Sequence, residues 1–120
     1  MKLFLIIFSS LFCTVSLAQT FTGTGGAIPG TSTTQTCFNT AVTGVGAINN
    51  TYGLAQVCIN INHPYDEELE ILLSAPDGTT VPLSVQNGFD GDNYTSTCFS
   101  ANATIPIKFG TAPFTGSCLS

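Results

Sequence analysis

Residues 54–85 constrain the fold more than any other stretch. LAQVCINI, residues 54–61, alternates strictly. Ala55, Val57, Ile59 and Ile61 fall on one side, and Gln56, Cys58, Asn60 and Asn62 on the other. ELEILLSA, residues 68–75, repeats the pattern with Leu69, Ile71, Leu73 and Ala75 together. A period of two is that of a half-buried strand. Pro76-Asp77-Gly78-Thr79 then makes a tight turn in which Gly78 can take a positive φ, and TVPLSV returns as the next strand. LEILLSA could pass for a short helix before its Pro-Asp-Gly stop, but no window holds a sustained helical period. CFNTAV, YTSTCF and TIPIKF are further strand candidates, separated by the turn-rich TGVGAINNTYG and QNGFDGDN. Strands at about ten-residue spacing predict an all-β sandwich or barrel.

Residues 1–18 are expected to be removed before folding. Lys2 precedes an apolar run that opens Leu3-Phe4-Leu5-Ile6-Ile7-Phe8, and Ser16-Leu17-Ala18 places small residues at the two positions a signal peptidase reads. This is the pattern of a short, bacterial-type secretory signal with cleavage after Ala18. It is too short and too early for a membrane span. Residues 19–35 are rich in Gly and Thr and read as a linker, leaving 36–120 as one modest domain. GTGGAIPG lacks GxGxxG spacing and is no nucleotide loop.

Without the leader, Lys108 is the sole base against Asp66, Glu67, Glu68, Glu70, Asp77, Asp90 and Asp92, a net charge of −6. Such a surface repels phosphate backbones, so nucleic acid is excluded as a partner. Four cysteines remain: Cys37, Cys58, Cys98 and Cys118. An even number in an exported chain predicts two disulfides, with three connectivities open. No pair has CxxC spacing, and a single histidine cannot complete a zinc site.

That histidine, His63, stands beside an acidic run that begins at Asp66. A triad needs a nucleophile, a base and an orienting acid brought together by the fold, and adjacency in sequence does not supply that geometry. No GxSxG elbow is present. His63 is therefore read as a turn cap and Asp66, Glu67, Glu68 and Glu70 as a solvated acidic rim; no catalytic residue is assigned. The loop FDGDN, residues 89–93, suggests weak calcium binding. Asp90, Asp92 and the Asn93 side chain supply oxygens, with loop carbonyls near Gly88 and Gly91 and with Glu68 completing the set. Calcium is the one cofactor these residues suggest. Asn49, Asn93 and Asn102 each open an Asn-x-Thr sequon, of no consequence in a bacterial host.

Taken in order, these motifs resemble the P domain, or Homo B domain, of subtilisin-like proprotein convertases and their secreted bacterial relatives. Ile28-Pro29 resembles the family's entry motif. VCINI with His63 and Tyr65 resembles its strand ending in His-Thr-Tyr. Glu68-Leu69-Glu70-Ile71 resembles Asp-Leu-x-Ile, and Ala75-Pro76-Asp77-Gly78-Thr79 its Ser/Ala-Pro-x-Gly-Thr turn. Gly91-Asp92-Asn93-Tyr94-Thr95 with Phe99, and residues 110–117, GTAPFTGS, resemble stretches of bacterial members. The resemblance implies a jelly-roll-like β-sandwich that stabilises or docks a neighbouring domain or a secreted or surface protein, without catalysis of its own. It also implies a Cys58–Cys98 disulfide, which leaves Cys37–Cys118; Cys37–Cys58 with Cys98–Cys118 is the alternative. Pro64 and Glu68 depart from the usual Thr and Asp. The family's Trp-containing closing strands find no counterpart, so the sandwich is expected to be incomplete at the C-terminus. With no room for a catalytic domain between the leader and Ile28, the alternative is a piece of a serine endopeptidase system whose enzyme lies elsewhere. A carbohydrate-binding sandwich would want exposed aromatics, and the chain has three tyrosines and no tryptophan.

Overall fold

The computed structural model describes residues 18–30, 33–116 and 118–119, with the side chains of 118 and 119 excepted. The expected signal segment thus lies almost wholly outside the described residues. The chain divides into two compact units, Met1–Val45 and Gly46–Ser120. In the first, the described residues form neither helix nor strand, and 33–45 are exposed throughout. The strand expected at CFNTAV is therefore absent. Its apolar residues are not spaced at every second position, and no ladder pairs with it.

The second unit is all-β and contains two sheets. Strands β1 (Val57–Ile61) and β2 (Glu70–Ser74) occupy the alternating segments, and β3 (Thr80–Val85) and β4 (Tyr94–Phe99) the expected return strand and the YTSTCF candidate. The inward sets hold within the strands: Val57, Ile59 and Ile61 in β1, and Ile71 and Leu73 in β2, are half-buried between exposed neighbours, whereas Ala55, expected with them, precedes β1 and is exposed. β2 and β3 form an antiparallel hairpin. At its turn Gly78 takes φ 88°, a conformation L side chains rarely adopt.

Asp77 locks that turn. The Thr79 N–H donates to Asp77 Oδ1 at 2.8 Å, and this hydrogen bond holds the carboxyl below its ordinary range. A depressed folded pKa gives stability that is present above the unfolded value of 3.8 and lost as pH falls through the folded one. Asp77→Ala is expected to lower the unfolding midpoint at neutral pH, with the gap to the parent closing under acid. A gap unchanged down to about pH 2 would contradict this.

The other sheet is built on β4. β1 pairs with it antiparallel, and Cys58 stands directly opposite Cys98. A bulge interrupts this ladder, where Ile59 faces Thr97 but Ile61 faces Tyr94. Ser96 takes φ 49° there, and its N–H donates to Asn60 Oδ1 at 2.7 Å in place of a ladder bond. On the other edge of β4 run β5 (Phe114–Thr115) and β6 (Cys118–Leu119), both parallel to it. The pairs Tyr94–Phe114 and Cys98–Cys118 keep one register, so β5 and β6 continue one line along β4. TIPIKF forms no strand beyond a single bridge at Ile105. Pro106 has no N–H to give a ladder, and Ile107–Phe109 turns into one 3₁₀ turn with Ile107 buried.

The core lies between the sheets. Tyr94, Phe99, Ile107 and Phe114 are buried, with Ile59, Ile61, Leu69, Ile71 and Leu83 packed against them. Both sheets contribute, which is sandwich packing. The Tyr94 ring stacks on Phe114 at 4.9 Å, and its hydroxyl shares a 2.9 Å hydrogen bond with Ser84 Oγ on β3. Burial pushes the Tyr94 phenol above its ordinary range. Thr97 Oγ1 donates to the Phe114 carbonyl. Among the described residues no helix is long and apolar enough to cross a membrane.

Candidate functional site

The chain between β1 and β2 carries the charged residues singled out above. His63 leaves β1 in register with β4: its N–H donates to Asn93 Oδ1 at 3.1 Å, and the Asn93 N–H donates back to the His63 carbonyl at 3.2 Å. Pro64 has no N–H to donate. His63 Nδ1 lies 2.8 Å from the Tyr65 carbonyl and 3.3 Å from its nitrogen, and Nε2 lies 3.9 Å from Glu68 Oε2. The imidazole is engaged by its own turn. That is a capping arrangement, not a nucleophile–base pair.

Asp66–Glu68 forms a 3₁₀ turn, and the loop between β3 and β4, residues 86–93, closes over it. The Asp66 N–H donates to Gly91 O at 2.9 Å, Glu67 N–H to Phe89 O at 3.3 Å, and Gln86 N–H to Leu69 O at 3.0 Å. Gln86, Gly88, Phe89 and Asn93 all have positive φ. At Gly88 (φ 101°) a Cβ would come 2.8 Å from Asp66 Cβ and 2.9 Å from Phe114 Cε2, so glycine alone lets this backbone lie against both.

The acidic run is not uniform. Glu67, Glu68 and Glu70 are exposed, as a solvated rim should be. Asp66 is fully buried at 0% exposure, and neither carboxylate oxygen has a hydrogen-bond partner. Burial pushes its carboxyl above the ordinary range; the nearby Asn93 N–H, whose hydrogen bond goes to the His63 carbonyl, and the His63 ring pull the other way, and the Asp92 charge adds to the rise. Sequence reasoning placed Asp66 in the rim because nothing local separates it from the glutamates beside it. The expected calcium ligands part company. Asn93 Oδ1 is taken by the His63 N–H, Glu68 faces His63, and Asp90 and Asp92 are exposed. Among the described residues no three His, Cys, Asp or Glu side chains converge on a possible metal position.

Cys58 and Cys98 are joined across β1 and β4. Cys37 is an exposed free thiol, and the Cys118 side chain, its expected partner, lies outside the described residues. A second feature is an apolar cleft of about 370 Å³ between the sheets, lined by Leu54, Val57, Leu73, Val81, Leu83 and Phe99 among others.

These elements locate the family comparison. Residues 53–107 match the family model of the proprotein convertase P-domain. The match runs from just before β1 to the 3₁₀ turn after β4, and so includes the Asp66 turn, its covering loop and most of the cleft lining. P-domains are accessory domains of subtilisin-like convertases. No curated protein and no solved structure matches the chain.

Proposed function

We propose that this chain is a secreted, non-catalytic module of the P-domain type that stabilises or docks a neighbouring domain, with a subtilisin-like catalytic domain as its natural partner. The P-domain match over residues 53–107 carries the reading. The apolar cleft supports it. Val81 is half exposed there, and Pro82, Leu54 and Ala55 are exposed beside it. Such a surface gains free energy when a partner removes it from water, at roughly 25 cal/mol per Å². A disulfide on a partly exposed ladder suits an oxidising compartment.

The test mixes the chain with the subtilisin-like catalytic domain secreted by the same cell. The module is expected to raise that domain's inactivation temperature, and Val81→Asp, which puts a charge in the cleft, to cancel the effect. A wild-type chain that changes nothing would sink the docking role. The chain alone is expected to leave a basic-residue peptide uncut. Turnover lost on His63→Ala would falsify the non-catalytic assignment.

A further inference from the structure

We propose that the enclosed Asp66 carboxylate anchors a site for a small hard cation of calcium's class, completed by Asp92 and by carbonyl oxygens of the loop 86–93. The inference rests on Asp66 itself. The side chain has 0% exposure, and both carboxylate oxygens lack a partner. Folded proteins rarely leave such a group uncompensated. The remedies are a basic side chain, a water, a proton or a metal ion.

Among the described residues neither basic side chain bonds to the Asp66 carboxylate, although His63 lies near it. Lys108 Nζ sits 4.9 Å from the Phe109 ring centroid, and the His63 ring is held by Tyr65 and faces Glu68. A single water can donate to both oxygens but leaves the charge buried. A proton removes the charge but leaves an O–H without an acceptor and a carbonyl oxygen without a donor. A divalent cation addresses both oxygens and the charge, and Asp92, next in the chain to the Gly91 carbonyl that receives the Asp66 N–H, would make the pair neutral with it.

The surroundings fit an oxygen-seeking ion. The carbonyls of Gly88, Phe89 and Gly91 each accept an N–H within this loop and turn, and each has a second lone pair. Calcium takes 6–8 oxygens at about 2.3–2.6 Å and tolerates irregular loops, whereas magnesium demands a near-octahedral shell. The ligand set differs from the one the loop sequence suggests. Asp66 replaces Glu68 and the Asn93 side chain, both already engaged, and backbone oxygens stand in for a third carboxylate.

The experiment strips the purified chain with EDTA and returns it to calcium chloride, read by thermal unfolding and by titration calorimetry. Calcium is expected to raise the melting temperature by about 5–10 °C at saturation, through one site. Asp66→Asn should abolish both the shift and the heat, while Asp90→Asn keeps them. Asp92→Asn, at an exposed position that folding tolerates, should weaken the calcium midpoint at least about 10-fold. It decides the matter if Asp66→Asn does not fold. A wild-type chain indifferent to calcium overturns the proposal, as does a response that survives Asp66→Asn or is unaltered in Asp92→Asn. In either case, a higher melting temperature for Asp66→Asn in EDTA identifies a carboxylic acid kept protonated by burial.

Discussion

Phe114→Ala is expected to cost about 3–5 kcal/mol, enough to leave a module of this size largely unfolded. Phe114 is 2% exposed, and its ring stacks on Tyr94, itself at 0%. The same ring touches the Gly88 backbone under the Asp66 loop and the Gly110 backbone ahead of β5. Truncation would open a cavity where the two sheets and the loop meet, and β5 would lose the side chain that seats it beside β4. Denaturant unfolding followed by circular dichroism gives the difference in midpoint. Phe109→Ala is the control, because that ring is 71% exposed and surface changes lie within about 0.5 kcal/mol. A loss at Phe114 below about 1 kcal/mol would mean that this ring does not hold the sheets together.

Removing the Cys58–Cys98 bond should cost about 4 kcal/mol. The bond closes 40 residues, and the loop-entropy relation gives a value of this size. Everything between β1 and β4 lies within the closed loop: the Asp66 turn, the β2–β3 hairpin and the loop over Asp66. Cys58→Ser with Cys98→Ser is therefore expected to lower the unfolding midpoint as far as reduction does, and added reductant should then have no further effect. Cys37→Ser, at an exposed free thiol, should leave the midpoint where it was. A double variant as stable as the parent would show that the β1–β4 ladder holds without its covalent link.

The strands and the turn were legible because their signals are local. Alternation in LAQVCINI and ELEILLSA identifies the inward residues of β1 and β2, and Pro76-Asp77-Gly78-Thr79 marks the hairpin between β2 and β3. TIPIKF and CFNTAV were misleading for a related reason. Apolar content alone does not make a strand, which also needs N–H groups free to donate and a partner to receive them. Pro106 removes one donor, and CFNTAV has no ladder partner. The family resemblance pointed to Cys58–Cys98, and the ladder places those residues opposite one another.

Asp66 belongs wholly to the tertiary structure. In sequence it is one acid among four, and its helical turn is only three residues long. It is buried because a loop some twenty residues further on folds over it, with Gly88 against its Cβ and the Phe114 ring beneath. The pairing of β5 and β6 parallel to β4 was likewise beyond local reading, since a parallel neighbour is set by the path of the connection and not by the strand's own pattern. The sequence by itself determined the four longer strands β1–β4 and, in β1 and β2, which residues turn inward, through signals that act between near neighbours. Only the tertiary structure decided which carboxylate left water, because burial is made by residues distant in the chain.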